Sequence, residues 1–230
     1  MTMISENLHS VRARIVAACA LAGRNPDEVR LLAVAKSFGP EAVRAAHAAG
    51  QTDFGENYLQ EAVDKQARLT QLPLVWHCIG PIQANKTRLV AEHFDWAQTV
   101  DRLKIAQRLS DQRPDHLAPL QVCLQVNIDG GPTKSGVSPE EALPLALEVA
   151  RLPRLVLRGL MTIPEPAPDY ATSLAVHRQA RELFENLRRA GLPLDTLSMG
   201  MTADLEAAIH AGSTMVRIGT AIFGGRTQAA

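Results

Sequence analysis

The chain has 230 residues, a length that one large domain can account for. Its 24 basic and 24 acidic residues give a net charge of zero, which argues against a nucleic-acid-binding protein, because such proteins carry a basic surplus. Hydrophobic residues make up 46%, more than a disordered chain contains, and no apolar run reaches the roughly 20 residues that span a bilayer.

The cysteines and the N-terminus indicate the compartment. Cys19, Cys78 and Cys123 are odd in number, and no pair has the spacing of a metal site. The first 16 residues lack the uninterrupted apolar core of a secretory signal. We therefore expect a reduced, cytoplasmic protein that binds no metal, no membrane and no nucleic acid.

A leading helix and eight strand-like runs follow one another along the chain. Residues 4–22 place Leu8, Val11, Ile15 and Ala18 at helical spacing, and Gly23 follows as a stop. Each short apolar run after that is followed by a helical or loop segment. The runs cover residues 31–36, 52–56, 74–80, 94–100, 119–128, 155–160, 194–200 and 213–219.

This alternation predicts the fold class. Strand–helix alternation implies right-handed crossovers and a parallel sheet, and eight such units close a barrel. An open doubly wound sheet is the alternative, but the first strand is not followed by Gly-x-Gly-x-x-Gly. We expect an α/β protein with one domain over residues 1–230, a (β/α)8 TIM barrel with an extra N-terminal helix.

Lys36 is the first candidate functional residue, because in such barrels the carboxyl ends of the strands carry the chemistry. Alternation places Leu32, Val34 and Lys36 on one face of the first run, opposite small alanines that suit a helix-covered face. Partial burial lowers the proton affinity of a lysine and yields a neutral amine that can attack an aldehyde. The alternative is a lysine that extends into solvent at the rim.

Two loops near the C-terminus suit a phosphate. Ser198 and Met199 begin the segment SMGMT, which opens a helix after the seventh run, and Gly219 and Thr220 open the last short segment. Glycine lets the backbone approach a ligand, and hydroxyl and free N–H groups at a helix start suit an anion. The loops after strands seven and eight are where barrels of this class bind phosphate. Ordinary helix capping is the alternative.

Arg217 lies inside the last run, on one face with Met215 and Gly219. A guanidinium there is costly to bury without a partner, so it either reaches solvent or binds a polar group inside the barrel. Barrel closure makes the first and last strands neighbours, which would bring Lys36 and Arg217 to one cavity. A reactive lysine, phosphate loops and an arginine facing a pyridine nitrogen together suggest pyridoxal 5'-phosphate.

Long ordered motifs support this interpretation. The stretches AVAKSF, FGENYLQEA, WHCIGPIQANK, LSMGMTADLEAAI and GSTMVRIGTAIFG resemble the pyridoxal phosphate homeostasis proteins over nearly the whole chain. The resemblance implies a barrel like the N-terminal domain of alanine racemase and a cofactor held as an imine on the strand-one lysine. The cofactor-binding residues that we expect are Lys36, Asn57, Ser198, Met199, Arg217, Gly219 and Thr220.

Three further residues have alternative interpretations. Asn57 could touch the cofactor ring or cap the helix that follows it. His77 we interpret as a hydrogen-bonded core residue rather than a base. Lys134 lies in a glycine-rich loop that lacks the order of a nucleotide-binding loop, and we consider it as a second, transient aldehyde contact.

Three functions fit a lysine-bound cofactor or substrate: a carrier, an amino-acid racemase and a Schiff-base aldolase. Racemisation needs a second proton acceptor, which racemases of this fold take from another domain. Tyr58 and Tyr170 lie near helix starts, and nothing in the sequence directs them toward the cavity. An aldolase leaves Arg217 unexplained. We expect a non-catalytic, monomeric carrier for intracellular pyridoxal phosphate homeostasis, with pyridoxal-phosphate-dependent apoenzymes as recipients.

Overall fold

Eight parallel strands close into one barrel in the computed structural model, which describes residues 2–131 and 135–225. Every strand pairs with the next in chain order, and β8 pairs with β1. The strands are β1 (Arg30–Val34), β2 (Asp53–Glu56), β3 (Val75–Cys78), β4 (Trp96–Val100), β5 (Leu120–Val126), β6 (Leu155–Thr162), β7 (Thr196–Ser198) and β8 (Met215–Ile218). The closed pairing confirms the predicted barrel and excludes an open sheet.

The helices alternate with the strands as the sequence predicts. They are α1 (Met3–Leu21), α2 (Pro40–Ala48), α3 (Leu59–Ala67), α4 (Thr87–His93), α5 (Leu103–Gln112), α6 (Pro139–Val149), α7 (Tyr170–Arg189), α8 (Leu205–His210) and α9 (Thr220–Phe223). No helix in the described part of the chain is long and apolar enough to cross a bilayer.

The additional N-terminal helix α1 packs against α8 and α9, beside the last strand. Its amphipathic stripe, including Leu8 and Ile15, is buried, as the helical spacing predicts. The Asn7 side chain donates a hydrogen bond of 2.9 Å to the carbonyl oxygen of Ile222 in α9. Helix α1 therefore fixes the short segment that follows β8.

Side-chain alternation along the strands separates two apolar layers. Ala33 and Ala35 belong to the large core between the sheet and the helices, where small side chains allow close helix packing. Leu32 and Val34 point the other way and pack inside the barrel with Ile79 and Met215. The predicted face of the first strand is confirmed, and the same alternation directs the next inward position to the barrel mouth.

The first strand is shorter than predicted. Strand β1 ends at Val34, and Lys36 lies two residues further, in a turn. The sheet hydrogen bonding continues for one residue, since the Ala35 N–H donates to the Gly55 carbonyl at 3.0 Å. Ser37 then adopts a φ of 65°, in the left-handed region, which reverses the chain into the loop before α2.

Candidate functional site

Lys36 lies half-buried at the carboxyl end of β1, where the mouth of the barrel opens. No hydrogen bond or ion pair joins its amine to another described residue. Its two chain neighbours are both held by α3: Lys65 donates to the Ala35 carbonyl at 2.9 Å, and the Ser37 N–H donates to Glu61 Oε1 at 3.0 Å. The amine is free while the backbone that carries it is fixed.

The Lys65 ammonium that binds the Ala35 carbonyl belongs to a buried ion pair. Lys65 Nζ lies 2.6 Å from Glu56 Oε1 and 3.5 Å from Glu61 Oε1, and the Lys65 side chain is only 3% exposed. Glu56 faces the helix layer, and its second oxygen has no partner among the described residues. Burial raises the pKa of Glu56 to about 7, against the opposing effect of the Lys65 ammonium.

Asn57 directly follows β2, and its side-chain oxygen has no hydrogen-bond partner among the described residues. Its Oδ1 is buried and has no hydrogen-bond donor in the described chain. The helix that follows begins at Leu59 with Tyr58 as its N-cap residue and without a side-chain cap, so Asn57 does not cap it. A buried amide oxygen without a donor at the end of a barrel strand makes Asn57 a candidate ligand contact.

Gly80 supports Asn57 from the neighbouring strand end. A Cβ atom at Gly80 would lie 2.8 Å from the Asn57 Cα, closer than real Cβ atoms come. The Gly80 carbonyl also accepts a hydrogen bond of 2.6 Å from the Thr99 hydroxyl, which fixes its orientation. The two backbones are therefore in direct contact, and only glycine allows it.

Arg217 is buried inside the barrel rather than at the rim, with 4% of its surface exposed. It donates to the Ser198 hydroxyl at 2.8 Å and to the Thr162 carbonyl at 2.7 Å, both neutral acceptors. No carboxylate of the described residues lies within ion-pair distance. Burial lowers the pKa of Arg217 to about 10, against the longer-range effect of Asp204. The guanidinium is thus a buried cation that keeps donors free for a ligand.

The seventh loop is arranged differently from the prediction. The Ser198 hydroxyl lies inside the barrel, where it accepts from Arg217 and donates to Gln98 Oε1 at 2.7 Å, so it holds the arginine. The Met199 side chain points outward into the large core, and its N–H and C=O bind Met215 and Ser213. Alternation turns Met199 away from the cavity, which leaves it no polar group for a ligand.

The eighth loop keeps the features expected of an anion site. A Cβ at Gly219 would lie 3.3 Å from the Val34 carbonyl oxygen, so this backbone packs on the strand that leads to Lys36. Thr220 begins α9, and in the described chain the N–H groups of Thr220 and Ala221 have no acceptor. Two free N–H groups and a hydroxyl therefore lie beside the lysine strand.

Several residues of this site carry weak sequence signals. Gln98 is a polar residue in the middle of a buried strand, which marks it only as unusual. In the sequence, Glu56 and Lys65 resemble ordinary surface charges. The fold places Glu56 on β2 and Lys65 on α3, where the two form a buried ion pair. Lys134 lies outside the described residues. Among those described, no group of three or more histidine, cysteine or acidic residues is arranged to hold a metal ion.

Comparisons with known proteins agree with this geometry. The model of the alanine racemase N-terminal domain family matches residues 7–227. A pyridoxal phosphate homeostasis protein of Pseudomonas aeruginosa is 60% identical over 230 residues and covers 100% of this chain and 99% of its own. Its counterpart in Escherichia coli K12 is 54% identical over 229 residues and covers 98% of both chains.

Solved structures give the same result. PipY of Synechococcus elongatus PCC7942, solved with pyridoxal phosphate bound, is 38% identical, has a TM-score of 0.84, and covers 96% of this chain and 100% of its own. Alanine racemase of Clostridium difficile is 14% identical with a TM-score of 0.71 over 95% of this chain and 57% of its own, a likeness of fold alone. The chain therefore belongs to the alanine racemase N-terminal domain family and, within it, to the pyridoxal phosphate homeostasis proteins.

Proposed function

We propose that this protein is a carrier that holds pyridoxal 5'-phosphate through Lys36 and releases it to pyridoxal-phosphate-dependent apoenzymes, without turning over a substrate of its own. The names of the close relatives support a role in homeostasis of this cofactor, and the cofactor-bound PipY structure supports its binding. When bound, the cofactor supplies an aldehyde, a phosphate dianion and an aromatic ring nitrogen.

The described residues fit these three groups. The unpaired amine of Lys36 would hold the aldehyde carbon, and the free N–H groups at Thr220 and Ala221 would bind the phosphate together with the Thr220 hydroxyl. The Asn57 Oδ1, which has no donor in the described chain, would contact a donor or the edge of the cofactor ring. A buried polar atom without a partner supports a bound molecule, because leaving it unsatisfied costs about 1–3 kcal/mol.

Arg217 is the observation that carries the proposal. A buried cation bound only to neutral acceptors is costly unless a ligand completes its environment. A guanidinium donates but does not accept, so beside a ring nitrogen it would keep that nitrogen unprotonated. The ring would then withdraw electrons weakly, which suits holding the cofactor better than catalysis on it.

Racemisation is the competing function, and the tyrosines argue against it. Proton exchange on both faces of a planar carbanion needs a second acceptor opposite the lysine. The Tyr170 hydroxyl is hydrogen-bonded to His210 Nδ1 on the helix side. Tyr58 is 51% exposed at the start of α3, so solvent rather than an enclosed pocket surrounds its ring.

We further propose that residues 1–230 form one cofactor-binding domain that works as a monomer in the cytoplasm. The three cysteines are free and buried, as expected where thiols remain reduced. The barrel and its associated helices run through almost all of the described chain, with each helix packed on the common core.

Chemical trapping tests the proposal. The purified protein is loaded with pyridoxal phosphate, its visible absorption is recorded, and borohydride reduction is followed by peptide mass mapping. With only five lysines in the chain, the modified peptide identifies the residue directly. We expect the label on Lys36 and transfer of unreduced cofactor to an apoenzyme. A label confined to another lysine, or amino-acid racemisation that Lys36→Ala abolishes, would overturn the proposal.

A further inference from the structure

A continuous line of side chains crosses the barrel interior from Arg217 to the opposite end of the strands. Arg217 donates to Ser198 at 2.8 Å, and Ser198 donates to Gln98 Oε1 at 2.7 Å. Gln98 Nε2 lies 3.0 Å from His77 Nδ1, and His77 Nε2 lies 3.1 Å from Asp53 Oδ1. These five residues form the interior hydrogen-bond chain, which connects β8, β7, β4, β3 and β2.

The direction of every bond in this chain follows once the Gln98 amide is oriented with Oε1 toward Ser198 and Nε2 toward His77. A guanidinium only donates, so the Ser198 proton must point to the Gln98 carbonyl oxygen. The Gln98 amide nitrogen then faces His77 Nδ1, which must accept because an amide N–H has no lone pair to offer. The imidazole proton therefore sits on Nε2 and is donated to the Asp53 carboxylate. With this amide orientation, a proton on His77 Nδ1 would bring two donors together.

The two ends of the chain carry opposite charges. Arg217 has no carboxylate partner of its own, while Asp53 accepts from the neutral His77 and from the Thr52 hydroxyl at 2.8 Å. Arg30 is the cation nearest to Asp53, at 3.5 Å, and its side chain is 48% exposed. Inside a low-dielectric barrel, aligned dipoles between a cation and an anion stabilise both ends. The oriented hydrogen bonds of the chain thus connect the negative charge of Asp53 with the positive charge of Arg217.

We propose that Asp53, His77 and Gln98 are positioning residues for the bound cofactor: they orient the Ser198 hydroxyl as an acceptor and so hold the Arg217 guanidinium in place inside the barrel. This inference rests on the proposed function, since it assigns Arg217 to the cofactor. It adds three residues that touch no group at the mouth and act only through hydrogen bonds.

The protonation state of His77 tests the chain without any cofactor. Nitrogen-15 NMR of histidine-labelled, cofactor-free protein should report a neutral ring with its proton on Nε2, assigned by loss of the signal in His77→Gln. In Gln98→Glu, a carboxylate replaces the amide donor, and we expect His77 to carry a proton on Nδ1 as well. A wild-type ring with a proton on Nδ1, alone or together with one on Nε2, would overturn the chain.

Cofactor release tests the positioning role. Loaded protein is mixed with an excess of an apoenzyme that captures pyridoxal phosphate, and the release rate and the absorption maximum are recorded. We expect Gln98→Met and Asp53→Asn to release several-fold faster and to shift the maximum. Thr87→Val is the matched control, because it removes the hydrogen bonds of a buried side chain, to the Ala84 carbonyl and to Gln112 Oε1, between residues that do not belong to the chain.

The outcomes separate this inference from the proposed function. Unchanged release and an unchanged maximum in folded Gln98→Met protein, with wild-type protein loaded on Lys36, would refute the positioning role alone. Equal effects of Gln98→Met and Thr87→Val would also refute it, because general loosening of the barrel would then explain both. Wild-type protein that takes up no cofactor would refute the proposed function, while the NMR result would still decide the hydrogen-bond directions.

Discussion

The ammonium nitrogen of Lys65 lies 2.9 Å from the carbonyl oxygen of Ala35, the residue immediately before Lys36. The same nitrogen lies 2.6 Å from Glu56 Oε1, so one buried ion pair fixes the end of the lysine-bearing strand. Glu61 holds the other side through the Ser37 N–H. The position of the Lys36 backbone is thus set by α3 rather than by the strand alone.

Replacing Lys65 should make stability depend on pH. Removing one partner of a buried pair costs about 3–5 kcal/mol when the other stays charged. Glu56 has a pKa of about 7 with the ammonium present, and losing the ammonium raises it further. A raised folded-state pKa means that stability is present at low pH and is lost as pH rises. Lys65→Met should therefore lose more unfolding free energy at about pH 8 than at about pH 6.

Urea unfolding at both pH values measures this effect. The double variant Glu56→Gln with Lys65→Met is the control, because it removes the buried carboxylate and should regain stability at the higher pH. Equal losses for Lys65→Met at the two pH values would contradict the prediction.

Gly80→Ala should weaken cofactor binding by about tenfold or more, equivalent to about 1.4 kcal/mol. The added methyl group cannot fit against the Asn57 backbone, so Asn57 must move away from the mouth. Fluorescence titration with pyridoxal phosphate measures the affinity. Gly39→Ala is the matched control, since a Cβ there meets no atom within 4 Å and its φ of −75° suits alanine. Similar losses in both variants would contradict the explanation.

Acid should destabilise the protein through His77. Burial lowers the pKa of His77 below its ordinary value, although the Asp53 carboxylate opposes this. The unfolded chain then takes up a proton near the ordinary value of about 6.5 before the folded chain does. Stability is therefore full above that value and is lost as pH falls through the folded-state pKa.

Unfolding free energies from about pH 7.5 down to about pH 5 check this window. His77→Gln should be less stable at the upper end, because it loses two buried hydrogen bonds, but its curve should fall less steeply. Parallel curves for wild type and variant would rule out His77 as the source of the slope.

Arg217→Met should separate cofactor retention from stability. Retention should fall by about tenfold or more, because the ring would lose the donor that we propose for it. The cofactor-free protein should lose little unfolding free energy, since a buried cation without a carboxylate partner is removed as well. Equilibrium dialysis and urea unfolding measure the two quantities. A large loss of unfolding free energy with unchanged cofactor retention would show that Arg217 serves stability rather than cofactor binding.

Much of the fold, and the strand faces on which the candidate site residues lie, could be predicted from local pattern. Apolar runs at strand length, separated by helical runs, predict the barrel because eight successive strand–helix units are the number that closes one. Two-residue alternation also predicts that Lys36 and Arg217 face inward. Met199 is predicted as a cofactor-binding residue together with its neighbour Ser198, but alternation directs its side chain outward, into the large core.

The interior hydrogen-bond chain could not be predicted in this way. Ser198 and Gln98 are separated by 100 residues, and their contact depends on barrel closure and strand stagger. The same holds for the contact of Gly80 with Asn57, which arises from how two loops meet above neighbouring strands. Local periodicity predicts the face on which a side chain lies, but not the partner across the barrel.

The anchoring of Ala35 and Ser37 by one helix has a consequence for cofactor exchange by the proposed carrier. With the main chain on both sides of Lys36 tied to α3, the amine can reach or leave a ligand only by rotation about its own side-chain bonds. Empty and loaded forms should then superpose along this turn, so delivery would not require the barrel to open.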